Sequence, residues 1–131
     1  MHVVAKYYPQ AVISGISALF IYELTDEMSN EVHIDIIKTS SIRNKLVQAR
    51  RVAESRLIGI MNLKYKGASL RIYNVERTLC DAYRIDRSQI FYSALKSYAE
   101  KFEVNINRIA KYDKILGTKV LEHLQQELVN V

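Results

Sequence analysis

The chain has 131 residues, 49% of them hydrophobic and 25% charged, a balance that permits one buried core and excludes intrinsic disorder. No apolar run reaches the ~18–20 residues of a bilayer span, and residues 1–8 lack the apolar core and cleavage site of a signal peptide. The net charge of +5 is uneven: residues 38–71 carry nine Lys/Arg against Glu54 alone, whereas the remainder carries ten against thirteen acids. A lone Cys80 excludes an internal disulfide and points to a reducing, cytoplasmic setting.

In chain order, Val12 to Leu24 reads as a lead-in segment and then a helix, with Ser14 or Ser17 as its N-cap. Ile16, Leu19, Phe20 and Leu24 fall on one face of it. Residues 25–30 are polar and read as a loop. Glu31 to Ile37 alternates, with Val32, Ile34 and Ile36 on one side and His33 and Asp35 on the other, the pattern of a half-buried strand. Lys38 to Arg56 has no long clean period and reads as loop plus a short helix over Leu46 to Ala53. Leu57 to Lys64 and Ala68 to Tyr73 read as a hairpin turning through Tyr65-Lys66-Gly67, where glycine supplies positive φ.

After Asn74 the pattern becomes helical. Asn74 is a good N-cap for a helix from Val75 to about Arg84. Asp86 with Gln89 resembles a capping box, stapled by Ile85 and Ile90. The next helix offers Ile90, Phe91, Ala94, Leu95, Tyr98 and Phe102 on one side. A third, from Asn105, carries Ile106, Ile109, Ala110 and Leu116 and stops at Gly117, a typical C′ residue. Thr118 would cap a last helix with Val120, Leu121, Leu124 and Leu128. The expected class is α+β: a small mixed, mainly antiparallel sheet with one helix before it and a C-terminal cluster of three to four helices. One domain over 1–131 is expected, with a helix-plus-sheet portion to 73 and a helical portion from 74.

The densest polar stretch is Val75-Glu76-Arg77-Thr78-Leu79-Cys80-Asp81. Arg77 and Asp81 are spaced i,i+4, Asp81 and Arg84 i,i+3, and Glu76 lies in the first turn, where the helix dipole favours a carboxylate. Thr78 can bond back to a carbonyl one turn earlier. Two readings stay open: a charge network pinning the helix to the sheet, or an effector contact surface. An exposed Arg77 would favour the second.

Three sequence words carry a resemblance. The first runs from Pro9-Gln10-Ala11-Val12-Ile13-Ser14 through Ser17-Ala18-Leu19 to Leu24-Thr25-Asp26. The second is Glu76, Arg77, Thr78 and Asp81, and the third is Ala94, Leu95, Lys96 and Tyr98. In this order they resemble the C-terminal effector domain of AbiEi-type antitoxins, over nearly the whole chain. The resemblance implies a non-enzymatic regulator of a type IV toxin–antitoxin system in phage abortive infection. Such proteins are similar to transcriptional repressors of their own operon that also neutralise a partner nucleotidyltransferase toxin. They usually begin with a winged helix-turn-helix, for which the eight residues ahead of Pro9 leave no room. Operator recognition by a recognition helix is therefore not expected from these residues.

The basic band is the other candidate. Lys38, Arg43, Lys45, Arg50, Arg51, Arg56, Lys64, Lys66 and Arg71, interleaved with Tyr65 and Tyr73, would contact phosphates of DNA or RNA without reading sequence. The plainer reading is a solvated face of strands and loops. Enzyme chemistry finds no support: His2, His33 and His123 have no partners at metal-ligand spacing, and Gly15, Gly59, Gly67 and Gly117 are isolated from one another. Asp35 and Lys38 lack the second acidic element of a nuclease pair. Cys80 reads as a packed thiol. No cofactor, metal or membrane partner is called for.

Overall fold

A computed structural model describes residues 1–129. Helix α1 (His2–Tyr7), strand β1 (Val12–Ile13) and helix α2 (Gly15–Ile21) come first, followed by strands β2 (Val32–Ile37) and β3 (Val47–Val52). A 3-10 turn (Glu54–Arg56) leads to β4 (Ile60–Tyr65) and β5 (Ala68–Tyr73), and then α3 (Val75–Ile85), α4 (Ile90–Lys101), α5 (Ile106–Leu116) and α6 (Val120–Val129). The class is α+β, with a five-stranded mixed sheet and a C-terminal helix cluster.

The sheet order is β3-β2-β1-β5-β4, with β1–β2 and β4–β5 antiparallel and β2–β3 and β1–β5 parallel. Ladder partners share a face, so the register sorts the side chains into rows. One row is Ala49, Ile34, Ile13, Ile72 and Met61. Its buried members Ile13, Ile34 and Ile72 pack with Val4 of α1 and Ala18 of α2. The neighbouring row is Arg50, Asp35, Val12, Arg71 and Asn62, on the opposite face.

The four C-terminal helices bury a second cluster that includes Leu79, Phe91, Leu95, Tyr98, Ile109 and Leu124, joined by Leu19 and Leu24 of the α2 segment. Each such side chain stabilises by about 1.5–3 kcal/mol relative to exposure. The caps are specific. Asn74 Oδ1 accepts the Arg77 N–H at 2.9 Å and Asn105 Oδ1 accepts the Arg108 N–H at 3.0 Å. Gly117 ends α5 at φ 70°, as expected.

Several expectations need correction. The segment expected as a helix over Leu46 to Ala53 is strand β3, because cross-strand pairing of Arg50 with Asp35 overrides the weak local preference. Val12–Ile13, read as lead-in, is the central strand, and α1 was not foreseen. The hairpin turns through Lys66 and Gly67 alone, at φ 49° and 83°, and Tyr65 belongs to β4. Ser14 occupies the N-cap position of α2 without a side-chain cap bond, while Ser17 Oγ accepts the His33 N–H at 2.8 Å.

The cap of α6 comes from Asp113. Its carboxylate accepts the N–H groups of Val120 at 3.0 Å and Leu121 at 2.9 Å, and the Thr118 hydroxyl donates to the same group. An ionised acceptor outcompetes a hydroxyl for the orphan donors at a helix start. Asp86 Oδ1 accepts from the N–H groups of Ser88 and Gln89, but α4 starts only at Ile90. No helix among the described residues is long and apolar enough to cross a membrane.

Candidate functional site

Helix α3 starts directly after β5, which sets its first turns over the polar row of the sheet. Asp35 is fully buried there. Arg50 reaches it across the β2–β3 ladder with Nε donating to Oδ1 at 2.9 Å and Nη2 to Oδ2 at 2.7 Å. The Tyr73 hydroxyl donates to the same Oδ2 at 2.6 Å. Burial, then the Asp35 charge and hydrogen bond, hold the Tyr73 phenol above its ordinary pKa. Burial disfavours the Arg50 cation, yet the Asp35 bond and the Asp81 charge outweigh it, so its pKa lies above the ordinary value.

From α3, Arg77 is 1% exposed. Its guanidinium lies 4.2 Å over the Tyr73 ring. Nη1 donates to the Arg56 carbonyl at 2.7 Å and Nη2 to Asp81 Oδ1 at 3.3 Å. Arg50 Nη2 meets the same Asp81 oxygen at 3.4 Å. A continuous chain of charge thus runs Asp35–Arg50–Asp81–Arg77. Arg77 Nε and Asp81 Oδ2 have no hydrogen-bond partner among the described residues. A buried unpartnered polar group costs about 1–3 kcal/mol.

The four residues of the second word are all buried, so their side chains do not form the effector surface that one reading expected. Each instead holds the framework. The Thr78 hydroxyl donates to the Asn74 carbonyl at 2.9 Å, the back-bond foreseen from sequence. Glu76 accepts from the Tyr98 hydroxyl at 2.8 Å and from Arg108 at 3.2 Å, tying α3 to α4 and α5. This is a charge network that pins a helix to a sheet.

The basic band does not stay together. Lys66 borders a hollow beside Met1 and His2, and Arg71 donates to the Gln10 carbonyl at 2.7 Å. Arg43, Lys45 and Lys64 are exposed and do not join the remaining cations. Lys38, Arg50, Arg51 and Arg56 converge, and α3 adds Arg77 and Arg84. These six line a cleft of about 340 Å3, to which Val52 and Ala53 also contribute among the described residues. Arg51 Nε and Nη2 both donate to the Lys38 carbonyl, at 3.1 and 2.8 Å. Arg56 reaches the Leu116 carbonyl at 3.4 Å. Burial, then the charges of Arg50 and Arg56, draw the Arg84 pKa below its ordinary value.

A larger hollow of about 620 Å3 lies between residues 7–11 and β2, lined by groups such as Tyr8, Pro9, Ile42, Leu57 and Ile60. The one buried charge beside it, Asp35, is already engaged by Arg50 and Tyr73. The cationic cleft is therefore the stronger candidate. Sequence reasoning missed Arg84 as a member. The i, i+4, i+7 spacing of Arg77, Asp81 and Arg84 on one helix would have placed it there. The chain matches no family model of known proteins, and no curated protein matches it.

Proposed function

We propose that this chain is the effector domain of an AbiEi-type antitoxin, a cytoplasmic, non-enzymatic protein that opposes a nucleotidyltransferase toxin in a type IV toxin–antitoxin system. One observation carries the reading: the three words behind the resemblance, far apart in sequence, meet in one core. Leu19 and Leu24 of the first, Leu79 within the second, and Ala94, Leu95 and Tyr98 of the third belong to a single apolar cluster. The Tyr98–Glu76 hydrogen bond joins the third word to the second directly. The three words thus lie together in the core of one fold, as the resemblance requires. The role in abortive infection and in regulating transcription follows from the same resemblance.

Co-expression with a nucleotidyltransferase toxin tests the proposal. Restored growth is the expected result. Continued arrest, with this chain soluble and folded in the same cells, would sink it.

The cationic cleft favours a second reading, a nucleic-acid-binding module that contacts phosphates of DNA or RNA. Its affinity should fall steeply between low and physiological salt, because each phosphate contact releases counterions. A flat binding curve over that range counts against it.

A further inference from the structure

The cleft is compact and its charge is held in place. Phosphate-backbone tracks need cations spaced along a groove. Here five of the nine band residues, Arg43, Lys45, Lys64, Lys66 and Arg71, lie outside the cleft. The six that line it come from the β2–β3 end, the 3-10 turn and α3. A volume of about 340 Å3 is at the small end of ligand sites.

The anchoring of these cations is unusual. The Arg51 fork closes on the Lys38 carbonyl, and Arg77 Nη1 on the Arg56 carbonyl. Those acceptors are neutral, so they fix orientation without cancelling charge. Among the described residues the acids in ion pairs with these cations are Asp35 and Asp81, both buried and engaged by Arg50 and Arg77. The Lys38 ammonium and the Arg84 guanidinium have no hydrogen-bond partner among the described residues. The Arg84 pKa is depressed by burial first, and then by the neighbouring charges of Arg50 and Arg56.

We propose that this cleft binds a terminal phosphate cluster, that of a free nucleotide or of the 5′ end of a nucleic acid, with Lys38 and Arg84 supplying its direct ionic contacts. The Arg84 guanidinium can match two phosphate oxygens at once, and the Lys38 ammonium adds a point charge beside it, while the anchored arginines supply fixed positive potential. An anion there would relieve the repulsion around Arg84. The inference narrows the second reading above and rests on the same cleft; it is independent of the antitoxin assignment.

The test is calorimetric titration of the full chain at physiological salt with pyrophosphate, with ATP, and with one oligonucleotide carrying either a 5′-phosphate or a 5′-hydroxyl. Pyrophosphate should bind, and the Lys38→Ala/Arg84→Ala variant should bind it about tenfold more weakly or worse, at an unchanged melting temperature. Arg84→Lys, which keeps the charge, serves as the second variant if the first fails to fold, and should weaken binding less than Arg84→Gln. Tighter binding of ATP than of the phosphorylated oligonucleotide assigns the cluster to a free nucleotide, and the reverse assigns it to a nucleic-acid end. Equal affinity for the two oligonucleotides, without pyrophosphate binding, overturns the pocket and leaves nucleic-acid binding standing. No binding of any probe overturns both.

Discussion

Asp35 and Arg50 are direct ladder partners on a parallel strand pair, and their side chains close a two-bond fork across it at 2.9 and 2.7 Å. The pair is lopsided. Arg50 is 40% exposed and Asp35 not at all. Removing Arg50 strands a buried carboxylate, whereas removing the charge of Asp35 leaves a guanidinium that water can reach. Arg50→Gln should therefore cost about 3–5 kcal/mol and Asp35→Asn about 1–3 kcal/mol. Urea unfolding of both variants checks the ordering, and equal losses would contradict it.

Arg77 performs three tasks with one planar group: it stacks on Tyr73, bonds the Arg56 carbonyl and pairs with Asp81. A lysine at this position can do only one of them at a time. Arg77→Lys should lose about 2–4 kcal/mol of stability. Any loss of the proposed antitoxin activity should track the fall in melting temperature, since the side chain is buried. Activity lost at an unchanged melting temperature would return Arg77 to the role of a contact residue.

Gly59 lies at φ +73°, and a Cβ there would stand 2.7 Å from the Tyr112 hydroxyl and 3.2 Å from the Arg77 Cβ. The Tyr112 oxygen accepts from Asn74 Nδ2 at 2.7 Å, so displacing the ring also loosens the start of α3. Gly59→Ala should cost about 2–4 kcal/mol, from strain plus overpacking. Gly67→Ala is the control: it has positive φ but open space, and should cost about 1 kcal/mol. Thermal unfolding that ranks the two equally would remove the packing component.

His33 has its pKa drawn below the ordinary value by burial, partly opposed by the charge of Glu31. The folded state therefore prefers the neutral ring, while the unfolded chain takes up a proton more readily. The stabilisation is complete above the unfolded pKa and is lost as pH falls through the folded one. His33→Gln should show a smaller drop in melting temperature than the parent between about pH 7.5 and about pH 5.5. An identical drop in both would place the acid sensitivity elsewhere.

The helical half of this fold was legible because its signals are local. Asn74, Asn105 and Gly117 mark element ends by side-chain or backbone chemistry within a few residues, and Phe91, Ala94, Leu95 and Tyr98 repeat at helical spacing. The sheet was harder. Residues 47–52 became a strand only because Asp35, a dozen residues earlier, offers a partner at the right register, and nothing in Val47-Gln48-Ala49-Arg50-Arg51-Val52 announces that. The charged candidates divided in the same way. Their clustering in sequence told of positive potential but not of its location, and strand pairing sent Arg71 to one place and Arg50 to another.

Strand β1 is two residues long, yet it joins both halves of the sheet, pairing with β2 on one side and β5 on the other. During synthesis Val12 and Ile13 precede Arg71 and Ile72 by most of the sheet, so the seam cannot close until β5 has emerged. Folding of the sheet is then gated by a long-range docking event at a very short interface, not by growth of either hairpin-sized half. Before that docking, β3-β2-β1 and β4–β5 are separate units whose facing edges, β1 and β5, are open, and anything that delays β5 prolongs the exposure of β1 to other chains.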